Sequence, residues 1–165
     1  MSLRGAVTSD HQLARLLQIG IVLEEVVEAR AERHLETLMA EESDPHEAVV
    51  ALLEEAAAES HEHRERLSEL IDDLEADTVA YEEIEQLVRE RYARTEPEDF
   101  DDLLYDQLCN EETAYKFYDD LIAAIEASNV EFSIDRSRLL QVLREIRSEE
   151  AEGVEDVTKV MEEYP

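Results

Sequence analysis

Residues 111–125 read EETAYKFYDDLIAAI, and residues 24–38 read EEVVEARAERHLETL. Both stretches begin with paired glutamates and continue with apolar residues at the spacing of an amphipathic helix. A second pair, LEEAAAESHEHRERL at 53–67 and LREIRSEEAEGVEDV at 143–157, follows in the same order. The offsets are 87 residues (111 − 24) and 90 residues (143 − 53). The sequence therefore predicts two related helical hairpins.

Four long helices are predicted from the apolar periodicity, at about residues 10–41, 45–75, 97–128 and 135–163. The chain is rich in good helix formers and has only three glycines and three prolines, which excludes a turn-rich β fold. Three helix starts have the spacing of a capping box: Ser9 with Gln12, Asp44 with Glu47, and Thr95 with Glu98. Ser133 or Asp135 begins the last helix.

The connections between the predicted helices indicate the topology. Short links join the first helix to the second and the third to the fourth, so each of these pairs is expected to form an antiparallel hairpin. The longer link contains residues 76–94, which predict a short crossover helix. Two hairpins joined by one crossover is the ferritin-like arrangement of a four-helix bundle. We expect residues 1–165 to form one such all-α domain.

The formal net charge is −30, from 45 acidic and 15 basic residues. Such a surface repels phosphate backbones and anionic lipids, so nucleic-acid and membrane-surface binding are excluded. Only Lys116 and Lys159 are lysine. Self-repulsion at this charge is screened at about molar salt, where the Debye length is roughly 3 Å. The composition resembles that of cytoplasmic proteins from salt-accumulating haloarchaea, so a halophilic protein is expected.

Targeting and cysteine signals point to the same compartment. No stretch approaches the roughly 20 apolar residues of a membrane helix, and MSLRGAVTSD at the N-terminus lacks a signal-peptide core. The single cysteine, Cys109, permits no intrachain disulfide and no attached rubredoxin-type Cys₄ iron site. We therefore expect a soluble cytoplasmic protein. There is also no nucleophile motif, Gly-rich phosphate loop or basic substrate pocket.

Three glutamates interrupt the apolar stripes: Glu24, Glu111 and Glu150. A buried carboxylate is costly unless it is paired, protonated or bound to a metal. Their distances from the hairpin loops place all three near mid-bundle, level with Ser60, because a helix rises only about 1.5 Å per residue. A shared site is therefore predicted, with Glu28, one turn further on, as the alternative residue from the first helix.

The third and fourth helices resemble those of the ferritin-like superfamily, and most closely its rubrerythrin-related branch. The resemblance is carried by CNEETAYKFYDDLIAAI, with Glu111, Ala114, Phe117 and Tyr118, and by LREIRSEEAEGVEDV up to Glu150. It implies a di-iron site built from one Glu on each of two helices and a Glu-x-x-His motif on each of the other two.

Each of the two implied Glu-x-x-His motifs lacks one member in this chain. The second helix has Ser60 with His63, and the fourth has Glu150 with Gly153. Four ligands remain, namely Glu24, His63, Glu111 and Glu150, and Glu28, Glu59 or Tyr118 could add to them. Such a set suits one Fe, Mn or Zn ion better than an intact di-iron centre, and we expect Fe or Mn.

Two functions are therefore open. The first is a metal-binding protein that handles iron or peroxide, and the second is a metal-free bundle that serves as a structural or interaction module. In the second, His63 is an ordinary histidine bonded to a carboxylate.

We further expect a homodimer with no nucleic-acid or membrane partner. His34 and His61 are expected to face solvent, and Tyr115 and Tyr118 are expected to lie in the core. Gly153 predicts close helix approach, or room for a partner such as His63 or Tyr118.

Overall fold

A computed structural model describes residues 5–41, 47–76 and 100–163. Four helices lie in these ranges: α1 (Asp10–Glu41), α2 (Glu47–Asp72), α3 (Phe100–Glu126) and α4 (Arg136–Glu163). No strand occurs among these residues, so the all-α prediction is confirmed, with each boundary within three residues of its expected place. The predicted crossover helix at residues 76–94 falls outside the described ranges, apart from residue 76.

The helices form a four-cornered bundle in which α1 packs against α2 and α3, and α4 packs against the same two. Gly20 of α1 lies beside Leu67, whereas Glu24, one turn later, bonds His63, which is earlier in α2. The same reversal relates α3 to α4, because Glu111 lies beside Gly153 and Asp119 accepts a bond from Arg147. Both predicted antiparallel hairpins are therefore confirmed.

The end of α2 and the start of α3 lie at opposite ends of the bundle. The end of α2 lies beside the loop between α3 and α4, because the Glu75 amide donates to Ser133 Oγ at 2.9 Å. α3 starts at the other end, since it is antiparallel to α1: Tyr118 contacts Glu24, and Gln107 contacts His34. α2 therefore ends, and α3 begins, at opposite ends of the bundle.

Helix starts follow the predicted capping signals where the structure describes them. The Gln12 amide donates to Ser9 Oγ at 3.1 Å, while Gln12 Oε1 accepts from the Thr8 amide at 2.7 Å. At α4 the cap is Asp135, whose Oδ1 accepts from the Ser137 amide at 3.1 Å. These side chains satisfy amides that have no partner within the helix.

A polar layer divides the core. One apolar cluster fills the end where α1 begins and includes Leu17, Leu67 and Leu143. A smaller cluster, with Leu53, Leu104 and Val157, fills the other end. Between them, Glu24, His63, Glu111 and Glu150 are buried, each on a different helix. The interruptions of the apolar pattern thus meet at one level, as the sequence predicts.

One core prediction is wrong. Tyr115 is 38% exposed, whereas Tyr118 is fully buried. The buried stripe of α3 runs through Gln107, Glu111, Ala114 and Tyr118, with steps of four, three and four residues. Because 3.6 residues make a turn, Tyr115 comes one position after this stripe and faces outwards.

None of the four helices combines the length and the apolar content that a membrane span requires, within the residues described.

Candidate metal centre

The four side chains predicted as ligands meet at mid-bundle. Glu24, His63, Glu111 and Glu150 come from α1, α2, α3 and α4, and none is more than 4% exposed. Ser60 is also buried, one turn before His63. A buried acidic side chain on each of three helices, around one histidine, is costly unless the charges are compensated within the layer.

His63 Nδ1 is the centre of this arrangement. It lies 3.2 Å from Glu24 Oε1 and 3.1 Å from Glu150 Oε1. One ligand atom from each of these three residues lies within 4.8 Å of the others. A metal with bonds of about 2.1 Å holds neighbouring ligand atoms about 3 Å apart when they are at right angles. The spacing therefore suits a single ion. We call Glu24, His63, Glu111 and Glu150 the inner group.

The other contacts of the inner group orient its carboxyls. The Tyr118 hydroxyl donates to Glu24 Oε1 at 2.6 Å. Gln107 Nε2 donates to Glu111 Oε1 at 3.2 Å, and Glu111 also shares a hydrogen bond with Glu150. Tyr118, expected as an additional site residue, thus touches the predicted ligand Glu24.

Charges within the inner group are strongly coupled. Burial opposes protonation of His63, but hydrogen bonds to Glu150 and Glu24 and the charge of both outweigh it, raising the pKa of His63 to about 11. Burial also disfavours the Glu24 carboxylate, yet the bond and charge of His63 prevail and lower the pKa of Glu24. Glu24 and His63 therefore form a buried carboxylate–imidazolium pair.

The other two carboxyls of the inner group behave as acids. Burial, with the charge of Glu24, raises the pKa of Glu150 to about 11. Burial and the same charge raise the pKa of Glu111. Without a metal, protons thus replace the missing positive charge, and a bound cation must displace them.

Gly153 makes room for Glu111. A Cβ at this position would lie 2.5 Å from Glu111 Oε2 and 2.9 Å from its Cδ, closer than atoms can approach. The expectation that Gly153 leaves room for a neighbour is correct in kind, but the neighbour is Glu111 rather than His63 or Tyr118. Glu111 therefore occupies the space that a larger residue of α4 would take.

A second group of ligand atoms surrounds the other ring nitrogen. His63 Nε2 lies 2.6 Å from Glu149 Oε2 and 3.9 Å from Glu59 Oε1. Together they form the outer group, Glu59, His63 and Glu149, whose ligand atoms also lie within 4.8 Å of one another. Burial, opposed by His63 and reinforced by neighbouring carboxylates, raises the pKa of Glu59 to about 8. Glu149 was not predicted from the sequence.

The outer group opens towards solvent. An open depression of about 310 Å³ lies between α2 and α4 and is lined by Glu55, Ala58, Glu59, Glu62 and Glu149. His63 separates this depression from the inner group, because its two nitrogens face opposite sides. A cation that enters from the depression therefore meets the outer group first.

Glu28, the alternative ligand from α1, is not brought to the inner group. Its carboxylate pairs with Arg64, which also binds Glu25 Oε2 at 2.9 Å, and lies 3.6 Å from His61 Nδ1. Glu28 thus belongs to an ion-pair cluster between α1 and α2. Glu28 is buried on the same side of α1 as Glu24, but it lies about 6 Å further along the helix, where Arg64 rather than the inner group is its partner.

The two histidines expected at the surface differ. His61 is exposed, with 55% of its side chain accessible, as predicted. His34 is fully buried, so that prediction is wrong. Gln107 and Asp106 of α3 supply its ring nitrogens with hydrogen-bond partners at 3.3 Å and 2.8 Å. These partners make its burial tolerable.

An unpartnered oxygen tests whether a cation fits the inner group. Glu24 Oε2 is buried and has no hydrogen-bond partner, although Oε1 accepts from Tyr118 and faces His63, and the Glu24 carboxyl also interacts with Glu150. A buried carboxylate oxygen without a partner is rare, and it is satisfied by an ion or a water. Two carboxyls and one imidazole have ligand atoms within 4.8 Å of one another, and the Glu111 carboxyl bonds Glu150 beside them; divalent transition metals accept such donors. The residues present thus fit a metal ion.

Comparison with known proteins adds no family: no family, curated protein or solved structure matches this chain.

Replacing Gly153 by alanine should separate metal binding from folding. The new methyl group forces the Glu111 carboxyl out of its place, so we expect weaker Mn(II) binding by calorimetric titration. The free energy of unfolding should stay level or rise, because Ala is better than Gly inside a helix by about 0.5–1 kcal/mol. Unchanged affinity would contradict a role for Glu111 in the site.

Proposed function

We propose that this protein binds one Fe or Mn ion at mid-bundle, through Glu24, His63, Glu111 and Glu150, and handles iron or peroxide in the cytoplasm. The observation that carries the proposal is the buried, unpartnered Glu24 Oε2 beside the imidazole of His63. The proposed ancestry is ferritin-like and rubrerythrin-related. It is supported by the two antiparallel hairpins, by the start of α3 at the end of the bundle opposite to the end of α2, and by the placement of one site residue on each helix.

The donor set favours Fe or Mn. Carboxylates suit Mn, and imidazole suits Fe, so three carboxylates with one imidazole suit either ion. Bound Fe or Mn would supply Lewis acidity and one-electron chemistry. The apolar clusters on both sides of the polar layer hold the ligands apart from bulk water. They also limit the movement of each carboxyl, because close-packed cores deform little.

The residues around the ion have separate tasks. His63 and Glu150 give up their protons when a cation binds, because both are protonated in its absence. Tyr118 holds Glu24 Oε1 and leaves Oε2 to bind the cation. The outer group and the depression beside it attract cations, since acidic clefts focus the field of a highly charged chain.

Metal loading of the purified protein tests the proposal. The protein is stripped with chelator, reconstituted with Fe(II) or Mn(II) without oxygen, desalted and analysed for metal. We expect about one equivalent per chain, as a single four-ligand site requires. Less than roughly a tenth of an equivalent of either metal would refute the proposed function.

Two matched variants locate the ion. Glu24→Gln and Glu149→Gln each neutralise one carboxyl partner of His63, on opposite sides of its ring. If the inner group holds the ion, Glu24→Gln abolishes binding and Glu149→Gln leaves one equivalent bound with slower uptake. The reverse result would assign the ion to the outer group.

A metal-free structural module is the second candidate, favoured by the complete pairing of His63. Both of its nitrogens already bond carboxyls, so the imidazolium is compensated without a metal.

Replacing Glu111 by leucine tests this alternative. In a module without metal, the free energy of unfolding should stay level or rise, because a costly buried acid becomes apolar surface. Urea unfolding with and without Mn(II) measures it. The module would be contradicted if Mn(II) stabilises the wild type and Glu111→Leu removes that stabilisation.

A further inference from the structure

A hydrogen-bonded chain runs from the inner group to the protein surface through two buried side chains. Glu111 Oε1 accepts from Gln107 Nε2 at 3.2 Å, and Gln107 Oε1 lies 3.3 Å from His34 Nδ1. His34 Nε2 lies 2.8 Å from Asp106 Oδ2. Gln107 and His34 are fully buried, while Asp106 is 28% exposed and lies at the end of the chain. Neither Gln107 nor His34 belongs to the predicted ligands.

The amide of Gln107 gives this chain a direction. One end of a carboxamide only donates and the other end only accepts. In the structure the two ends of the Gln107 amide have different partners: Nε2 donates to Glu111 Oε1, and Oε1 faces His34 Nδ1 at 3.3 Å. With its oxygen held by His34, Gln107 can present only its NH₂ group to Glu111.

The result is that the two oxygens of Glu111 are no longer equivalent. Oε1 is occupied by the amide donor. Oε2 is the atom closest to Gly153, in the space that the missing side chain leaves on α4. A donor on one oxygen stabilises the ionised carboxyl and leaves the other oxygen to bind a cation.

We propose that Gln107, held in place by His34 and Asp106, is a positioning residue that orients Glu111 to bind the metal through Oε2 alone. This inference rests on the proposed function of the inner group. It adds residues that act through Glu111, at a distance from the ion, and it assigns a role to the histidine that the sequence places at the surface.

Gln107→Met is the direct test. Methionine is close to glutamine in length and shape but has no donor. We expect Mn(II) affinity, measured by calorimetric titration, to fall roughly 10–100-fold, the usual effect of losing a residue that holds a ligand. The control is Gln18→Met, the same change at another buried glutamine, which accepts a bond from Arg15 and lies six residues before Glu24 on α1. Gln18→Met should keep the wild-type affinity whatever its effect on stability.

His34→Leu tests action through Gln107. It should weaken Mn(II) binding in the same direction. In the double variant with Gln107→Met it should add nothing further, because both changes remove the same support. Additive losses, or wild-type affinity in Gln107→Met, would overturn the inference while leaving the metal site intact.

A readout without metal separates this inference from the proposed function. His34 does not bond Glu111, yet His34→Leu should shift the carboxyl ¹³C resonance of Glu111 in the metal-free protein, assigned with Glu111→Gln. Gln18→Met should leave that resonance in place. If the wild type binds no metal, the proposed function fails. The orientation of Glu111 by Gln107, His34 and Asp106 is then tested by this shift alone. An unmoved resonance would overturn it.

Discussion

Replacing His63 by leucine should lower the free energy of unfolding of the metal-free protein by about 3–5 kcal/mol, because removal of one partner from a buried ion pair leaves the other uncompensated. Glu24 is fully buried and takes its compensating charge from His63. Glu149, on the other side of the ring, loses its partner at 2.6 Å. Urea unfolding at neutral pH and high salt measures the effect.

Two further variants show that charge, and not volume, causes this loss. His61→Leu changes an exposed histidine two residues away, and it should shift the free energy of unfolding by no more than about 0.5 kcal/mol. Adding Glu24→Leu to His63→Leu should recover part of the loss, since both members of the pair become apolar. A His63→Leu protein as stable as the wild type would contradict the buried pair.

The helices and their pairing were predictable because helix-forming residues, start signals and short links act locally. The apolar stripes also break at Glu24, Glu111 and Glu150, and the hairpin geometry brings those breaks to one level. Which residues of a long helix are buried was harder to predict, because with 3.6 residues per turn any fixed residue spacing gradually rotates around the helix. For this reason the pattern predicts Tyr115 in the core. The buried positions of this turn are instead Ala114 and Phe117.

Contacts across helix pairs could not be predicted in the same way. Glu149 reaches His63 from the edge of the α4 stripe, and nothing in its local sequence separates it from the many exposed acids. His34 has charged neighbours in the sequence, yet Gln107 and Asp106 of another helix allow its burial. Gln107 itself could have been noticed, because it lies one turn before Glu111 on the same face.

Gly153 shows what a single sequence does reveal about such contacts. A glycine inside an otherwise good helix predicts that something needs its space. The sequence cannot say which side chain enters, because the occupant comes from α3 and the space from α4.

The metal-free protein should become less stable as the pH rises from about 5 to 8, by roughly 1.4 kcal/mol per unit for each proton that only the folded state retains. Glu150 and Glu59 have pKa values raised from 4.5 to about 11 and about 8, so folding stabilises their protonated forms. This stability is fully present below pH 4.5 and is lost as the pH rises towards the folded pKa values.

His63 adds to the same trend above its unfolded value. Its pKa rises from 6.5 to about 11, so its contribution is fully present below pH 6.5 and declines from there to pH 11. Glu24 acts in the opposite sense, because its pKa is lowered and its contribution is lost as the pH falls below 4.5. Stability should therefore be greatest near pH 5.

The pH trend is measured by urea unfolding between pH 5 and 8 at about molar salt, where surface repulsion is screened to roughly 3 Å. Glu150→Gln keeps a neutral group in place of the acid, so its slope should be smaller by up to about 1.4 kcal/mol per unit. Saturating Mn(II) should reverse the slope of the wild type, because a cation replaces these protons and binds more tightly as they are released. A wild-type slope that Glu150→Gln leaves unchanged would show that Glu150 is ionised in the folded protein. In that case its charge would need a counter-ion besides His63.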